Sequence, residues 1–181
     1  MFEGKVTHCG ILREHVLRVA ETCFGNRLLM DRVVPGGIAV DLANAGAEAV
    51  PILVRSIRRR FPELIELYDS TASLQQRTVT TGILKAELAR QYGAGGFVGR
   101  ASGRAFDARK TPAYAPYTDL AFEMPVRQEG DVDARVWARI EEVKQSIALI
   151  EQILARLPAG PVHVEPTEPP NREAELGAPR P

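Results

Sequence analysis

The feature that most constrains the fold is a long amphipathic stretch near the carboxyl end. Its apolar side chains recur every three or four residues, the spacing of one face of an α-helix. The stripe consists of Val132, Val136, Ile140, Val143, Ile147, Ile150, Leu154 and Leu157, broadened by Trp137, Leu149 and Ile153. Asp131 can cap its start, and Pro158 with Gly160 ends it. A helix of this span is about 40 Å long. Its apolar face must pack against other helices, which predicts a mainly α fold, a helical bundle with a long C-terminal helix.

The amino-terminal segment carries a second helical pattern. Apolar residues from Cys9 to Cys23 share one face, and Gly25 is suited to end the helix. Because this helix begins almost at Met1, we expect the chain to start inside a larger fold. The Pro-Gly-Gly run at residues 35–37 then interrupts regular structure.

A third helix is predicted over residues 41–60. Asp41 is suited to cap it, and Pro51 is expected to kink it or to mark its first turn. The arginines at 58–60 suit the carboxyl end of a helix, where positive charge is favoured. We expect Phe61-Pro62 to restart a shorter helix.

The middle of the chain predicts shorter elements. Residues 78–82 are rich in β-formers, and residues 85–92 predict a short helix. Glycines at 93, 95, 96, 99 and 103 indicate an ordered glycine-rich loop. Residues 120–126 predict one strand. The fold therefore contains at most a short β element.

The composition changes after Pro158. Seven of the 13 prolines lie between Pro158 and Pro181, with few apolar residues. This composition predicts a helical domain over residues 1–158 and a Pro-rich, disordered tail over residues 159–181.

Charge and targeting patterns exclude several classes of protein. Lys+Arg and Asp+Glu both number 23, so bulk charge argues against a nucleic-acid binder. No apolar run approaches the roughly 18 residues of a membrane span, and no signal peptide is visible. We expect a soluble, intracellular protein with reduced thiols.

The most polar part of the glycine-rich region is the candidate functional site. It contains Arg100, Ser102 and Gly103, followed by Asp107, Arg109 and Lys110. Two interpretations are open: the segment lines a cavity or grips a neighbouring subunit, or it is an internal salt-bridge network that holds irregular backbone. The G-x-G-x-x-G fingerprint of dinucleotide-binding proteins is incomplete, because Val98 stands where the third glycine belongs.

Other candidate residues have simpler interpretations. His8 and His15 lie two helical turns apart but lack a third metal ligand, and His163 lies in the predicted tail. Tyr114 and Tyr117 predict aromatic packing over a loop. Glu141 and Glu142 predict a solvent-facing surface of the long helix, and the arginines at 58–60 a solvated helix end.

Three segments together resemble a known family. They are LLMDRVVPGGIAVDL (28–42), RTVTTGILKAELARQYGAGGFVGRASGRAFDARKTPAYAPY (77–117) and LAFEMPVRQEGDVDARVWARIEEVKQSIALIEQIL (120–154). They are similar to the middle of the large subunit of membrane-associated nickel–iron hydrogenases of the formate hydrogenlyase type. They also resemble the homologous catalytic subunit of NADH–quinone oxidoreductase, respiratory complex I. The similarity extends over about residues 5–162. Its most specific part is the ordered series R-x-S-G, D-x-R-K, P-V-x-x-x-G-D and E-E-x-x-Q-S.

The resemblance implies cofactors that these residues do not themselves hold. In the hydrogenases, two Cys-x-x-Cys pairs bind nickel and iron, and neither pair is present here, so Cys9 and Cys23 are not assigned as ligands. In the quinone-reducing relatives, quinone binds beside an iron–sulfur cluster of a small subunit, and the His and Tyr that contact its headgroup lie upstream. Val132-Asp133 replaces a frequent Cys-Tyr of that branch, which favours the hydrogenase-type branch.

The resemblance therefore predicts a fragment of the large catalytic subunit of a hydrogenase-like or NADH–quinone oxidoreductase-like electron-transfer complex. We expect the chain alone to bind no cofactor and to catalyse nothing. Its expected partners are an iron–sulfur small subunit and, indirectly, membrane subunits at the cytoplasmic face, with no nucleic acid. The alternative is a non-catalytic helical docking or assembly module of such a complex. A third hypothesis is a binding domain unrelated to redox chemistry.

Overall fold

The structure, a computed structural model, describes residues 3–42 and 44–165. Regular structure in these ranges comprises six α-helices, one 3-10 turn and a two-stranded hairpin. The helices are α1 (Glu3–Phe24), α2 (Asn44–Asp69), α3 (Ala72–Thr78), α4 (Ala86–Gln91), α5 (Gly96–Ala101) and α6 (Val132–Ala155). The strands are β1 (Val33–Val34) and β2 (Gly37–Ile38), and the 3-10 turn is Tyr117–Asp119. The prediction of a mainly α fold is confirmed.

The described residues form two compact units, residues 3–12 with 51–157, and residues 13–42 and 44–50 with 158–165. In the larger unit, α6 packs against α3 and α5, and α4 packs against α5. Small residues allow close packing here, since Ala89, Ala101, Ala134 and Ala138 are almost fully buried. Ile150 and Leu157 of the predicted stripe are partly exposed, at 38% and 51%.

The start of α6 is fixed by the predicted cap. The Asp131 carboxylate accepts hydrogen bonds from the Ala134 N–H (2.7 Å) and from the Thr80 N–H (2.7 Å). The first is a normal N-cap bond. The second ties the turn after α3 to the long helix.

The segment at residues 78–82, rich in β-formers, does not form a strand. Its first residue ends α3, and Thr80 adopts a positive φ of 57°. The segment instead meets the entry to α6, because the Val132 N–H donates to the Thr81 carbonyl (3.0 Å). Arg135 adds a hydrogen bond to the Gly130 carbonyl (2.9 Å). Tertiary contacts therefore override the β propensity of Thr and Val.

Helix α2 is continuous where two helices were predicted. It runs through both Pro51 and Pro62 to Asp69. Asp41 does not cap it; its carboxylate accepts a hydrogen bond from the Leu42 N–H (2.7 Å). The arginines at 58–60 consequently lie in the helix interior, and Arg58 pairs with Glu151 of α6 (2.7 Å).

The glycine-rich segment is also not wholly a loop. Residues 96–101 form α5, flanked by turns in which Gly93 and Gly103 have positive φ. Its glycines permit these turns and the close approach of α5 to its neighbours.

The smaller unit contains the hairpin. Val33 pairs with Ile38 across the turn, and His163 forms an antiparallel bridge with Gly37. Cys23 is buried against Gly46, where a side chain on the glycine would meet the thiol. The predicted tail lies largely outside the described residues, since 166–181 are not described, and its boundary stays a prediction. No helix in the described part is long and apolar enough to cross a membrane.

Candidate functional site

The centre of the candidate site is the buried side chain of Arg100 at the end of α5. Its Nε donates to the Glu142 carboxylate of α6 (2.9 Å), and a second guanidinium N–H donates to the same oxygen. Its Nη1 donates to the Phe106 carbonyl (2.9 Å) and lies 3.7 Å from the Asp107 carboxylate. One cation thus joins α5, α6 and the chain that follows α5. A buried guanidinium needs such partners, because an unpaired buried charge is costly.

Asp107 and Arg109 form the second part of the network. Two guanidinium nitrogens of Arg109 donate to the two Asp107 oxygens, at 2.9 and 2.6 Å. The Arg109 N–H donates to the same carboxylate (3.0 Å). The hydrogen bonds from Arg109 hold the pKa of Asp107 at about 2, against the opposing effect of burial. Asp107 is therefore ionised at neutral pH and fixes a tight turn.

Ser102 and Gly103 position backbone in the site. The Ser102 hydroxyl donates to the Val98 carbonyl (3.1 Å) and is almost fully buried. Gly103 has a φ of 78°, and a side chain there would meet the Gln128 side chain. The Gly103 N–H donates to the Arg127 carbonyl (2.7 Å). The R-x-S-G and P-V-x-x-x-G-D segments therefore bind each other through their main chains.

Lys110 lies at the edge of an open cavity of about 680 Å³. Its Nζ lies 4.7 Å from the centroid of the Phe122 ring, and the Arg109 guanidinium lies 5.0 Å from the same centroid. Tyr117 packs edge-on against Phe122 and Tyr114, with centroid distances of 6.2 and 5.1 Å. The predicted aromatic packing is confirmed.

Three residues of α6 are part of the site although the sequence analysis did not select them. Glu142 is the main partner of Arg100, which corrects the prediction that it faces solvent; Glu141 instead pairs with Lys144 (2.9 Å). Gln145 and Gln152 bind residues 121–123 through their side-chain amides. Glu142 and Gln145 belong to the E-E-x-x-Q-S pattern. The sequence did not indicate that they lie opposite Arg100 and the 120–126 segment, so their roles were not predicted.

The predicted strand at 120–126 is wrong, because side chains of α6 bond to the main chain of this segment. The Ala121 N–H and carbonyl bond to the Gln152 carboxamide, at 2.8 and 2.7 Å. The Glu123 N–H donates to Gln145 (2.9 Å). Helix side chains therefore take the place of a neighbouring strand.

The remaining candidates lie apart from this network. His8 lines a second cavity, of about 570 Å³, together with Arg59 and Arg60. His163 lies in the other unit and contacts the Pro35 carbonyl (3.2 Å). Among residues 3–42 and 44–165, no group of three or more His, Cys, Asp or Glu side chains is arranged to hold a metal ion.

Comparison with known proteins gives the site a family context. Residues 4–177 match the model of the respiratory-chain NADH dehydrogenase 49 Kd subunit. The chain belongs to this family. It is 35% identical over 162 residues to NADH dehydrogenase [ubiquinone] iron-sulfur protein 2 of Nephroselmis olivacea, covering 88% of this chain and 41% of the relative. It is 36% identical over 172 residues to the carbon monoxide-induced hydrogenase of Rhodospirillum rubrum, covering 93% and 47%. It is 33% identical over 162 residues to the NADH-ubiquinone oxidoreductase 49 kDa subunit of Reclinomonas americana, covering 88% and 41%.

Two conclusions follow from these comparisons. The resemblance to the oxidoreductase large-subunit family is confirmed, and the hypothesis of a domain unrelated to redox proteins is set aside. The chain spans less than half the length of these relatives. Hydrogenase and NADH-oxidoreductase relatives match at similar identity, so identity does not separate the two branches.

Proposed function

We propose that this chain forms a helical scaffold beside the redox cavity of the large subunit of a hydrogenase-like or NADH–quinone oxidoreductase-like electron-transfer complex. The observation that carries the proposal is the buried Arg100, which joins Glu142 of α6 to the segment containing Asp107. This arrangement holds irregular backbone rigidly next to an open cavity. Membership in the NADH dehydrogenase 49 Kd subunit family supports the assignment of this cavity to a redox complex.

In this proposal the chain binds no cofactor by itself, and the complete protein acts on hydrogen at a nickel–iron centre or on quinone. The iron–sulfur cluster that exchanges electrons with it belongs to a partner subunit. The residues present do not fit a nickel–iron centre. Cys9 is exposed and Cys23 is buried, and neither belongs to a Cys-x-x-Cys pair. Burial also raises the pKa of Cys23, which disfavours the thiolate that binds these metals.

The proposed assembly follows from the same context. The direct partner is the iron–sulfur small subunit, and membrane subunits are reached indirectly, so the complex is peripheral on the cytoplasmic face. The balanced charge of the chain supports protein partners rather than nucleic acid.

The test is to replace Arg100 in the complete complex that contains this chain. Arg100→Ala leaves Glu142 and the Phe106 carbonyl without their donor, and we expect assembly to fall at least tenfold. Arg100→Lys retains the charge but lacks the planar guanidinium that donates to both Glu142 and the Phe106 carbonyl, so we expect an intermediate loss of assembly. Native gels quantify assembly, and hydrogen-evolution and quinone-reduction assays identify the activity.

The matched control is Arg58→Ala, since Arg58 forms an exposed ion pair with Glu151, and exposed pairs contribute little. Arg109→Ala is expected to behave like Arg100→Ala, because it removes the main partner of Asp107. Normal assembly and turnover in both the Arg100 and Arg109 variants would refute the proposed scaffold role.

The second candidate function is a non-catalytic docking or assembly module of such a complex. It is favoured by an exposed apolar run in the smaller unit, where Leu28, Leu29, Met30 and Val33 are 47–85% exposed. Deletion of this chain distinguishes the scaffold role from the docking role. If less complex assembles but the assembled complex turns over normally, the docking module is supported.

A further inference from the structure

A cavity of about 570 Å³ lies between α1 and α2, within the larger unit. Its α1 wall includes His8, Ile11 and Leu12, and its α2 wall includes Leu64 and Leu67. On each helix these residues are three or four positions apart, so they share one helical face. Ile11 and Leu67 remain 38% and 36% exposed. The cavity has the volume of a small-molecule site, roughly 300–1,000 Å³.

Two neighbouring arginines give this cavity a cationic end. Arg59 and Arg60 both line it and are both exposed. Within residues 3–42 and 44–165, neither guanidinium forms an ion pair or a hydrogen bond. Glu63 is the one carboxylate among the described residues that line the cavity, and it is not paired with either arginine. With His8 neutral, the lining therefore carries one net positive charge.

The α2 wall continues from these cations into apolar side chains. Leu64 and Leu67 follow Arg60 by four and seven residues, which places them about 6 and 10 Å farther along the helix axis. A ligand that matches both parts has an anionic head and an apolar body.

The chemistry of the lining excludes simpler ligands. The planar guanidinium of arginine donates paired hydrogen bonds to a carboxylate or a phosphate. An inorganic anion would meet this requirement but would leave the leucine side chains in contact with water. A neutral apolar molecule would cover the leucines but would leave two neighbouring cations without a counter-charge.

We propose that this cavity binds a single-chain amphipathic anion, a fatty-acid carboxylate or an alkyl phosphate. Its head contacts Arg59 and Arg60, and its chain lies along Leu64 and Leu67. The arginines select the negative charge of the head, and the length of the apolar wall sets the length of chain that is buried. The site lies outside the Arg100 network and does not depend on the redox role proposed above.

The test uses the complete 181-residue chain at a concentration where sedimentation shows a monomer. The probe is decanoate with an isotope-labelled carboxyl carbon, kept below its critical micelle concentration, and NMR titration measures its binding. We expect one saturable site. The affinity should rise about fourfold for each methylene from hexanoate to decanoate, and should stop rising once the chain is longer than the cavity.

Competition experiments test the head group. Decyl phosphate is expected to displace labelled decanoate, and decanol is expected to do so about fivefold less effectively. Inorganic phosphate is expected to compete only weakly, because it cannot occupy the apolar wall.

Variants of the chain separate the cavity from its surroundings. The double variant Arg59→Gln and Arg60→Gln is expected to weaken decanoate binding at least fivefold and to abolish the preference for decanoate over decanol. The matched control is Arg55→Gln, which removes an exposed arginine of the same helix that does not line the cavity. It should leave binding unchanged. Circular dichroism checks that each variant remains folded.

A second control addresses the exposed apolar run of the smaller unit. The double variant Leu28→Asn and Met30→Gln removes apolar side chains that could take up an acyl chain without a specific site. We expect it to bind decanoate with the affinity of the wild-type chain.

Several outcomes overturn the proposal. Displacement by inorganic phosphate at equal potency indicates a site for free anions. Affinity that increases without limit with chain length, or that the Leu28 and Met30 substitutions abolish, indicates uptake by the exposed apolar run. Binding to vesicles of anionic phospholipid without binding to monomeric decanoate indicates a membrane-contacting surface. Self-association that the arginine double variant abolishes indicates a second copy of the chain as the occupant, and the absence of saturable binding shows that the cavity is not a ligand site.

Discussion

At the scale of single residues, the site depends on charges that are paired inside the protein. Arg100 and Arg109 are both held by carboxylates, and Asp107 contacts both. These contacts are internal, so the segment is held together before any partner or ligand binds. The sequence left open a cavity-lining or subunit-binding segment and an internal salt-bridge network. The structure contains such a network, and Arg109 and Lys110 also line an open cavity.

The low pKa of Asp107 predicts a specific acid sensitivity. A carboxylate ionises near pH 4 in the unfolded chain and at about 2 in the folded protein, so its stabilising effect is complete above pH 4 and is lost as the pH falls to about 2. The difference corresponds to about 2 kcal/mol of unfolding free energy. We expect Asp107→Asn to be less stable at pH 7 and to lose less stability than the wild type between pH 4 and pH 2.

Urea unfolding at closely spaced pH values measures this effect. The exposed Asp119→Asn is the matched control and should follow the wild-type profile. Parallel profiles for Asp107→Asn and the wild type would contradict the assigned role of the carboxylate.

At the scale of secondary-structure elements, α6 is the central helix of the larger unit. Asp131 caps its start, and α6 packs against α3 and α5. Asp131 receives two main-chain N–H groups while almost fully buried. We expect Asp131→Ala to lower the free energy of unfolding by roughly 2–4 kcal/mol, from loss of the cap and from the Thr80 donor left unpaired.

Asp131→Asn retains an acceptor oxygen and is expected to lose less than half as much. Thermal and urea unfolding followed by circular dichroism provide the measurement, with the exposed Glu129→Gln as a control for charge near the same helix end. Equal stability of Asp131→Ala and the wild type would show that the cap is not needed.

The elements differ in how far they could be predicted from sequence. Helix α6 was predictable because its periodicity, cap and stop signals agree. The interruption expected at Phe61-Pro62 was wrong, because packing of the surrounding helix outweighs the hydrogen bond that proline cannot donate. Helix α5 was not predictable, because glycine has low helix propensity and because formation of this helix depends on partners distant in sequence. The same applies to the Arg100–Glu142 contact, which joins residues of two separate helices.

At the scale of the whole molecule, the exposed apolar side chains at 28–33 predict association. Asn26 fixes the backbone of this run, because its carboxamide oxygen accepts from the Leu28 N–H (2.8 Å) and the Met30 N–H (3.3 Å). An ordered apolar patch on the surface favours contact with another apolar surface. We expect the isolated chain to self-associate at micromolar concentrations and to bind a hydrophobic dye.

The double variant Leu28→Asn and Met30→Gln is expected to reduce both effects. Ile83→Asn, which removes a similarly exposed side chain elsewhere, should not. Sedimentation velocity and dye fluorescence measure the two properties. A dye-negative monomer for the wild-type chain would contradict the prediction and favour an independent module.

The two glutamines that bind residues 121–123 have a consequence for how this region tolerates changes in length. Gln145 contacts the later residue and Gln152 the earlier one, so the extended segment and the helix run in opposite directions. The glutamines lie two helical turns apart, about 10.5 Å along the axis, and their long side chains converge on the shorter two-residue step of the segment, about 7 Å. Insertions between residues 126 and 130 would disturb the main-chain hydrogen bonds that join this connection to residues 100–103, but would leave the two glutamine contacts in register. A single residue inserted between Gln145 and Gln152 would rotate one amide away by about 100°, which would detach the segment without changing its composition.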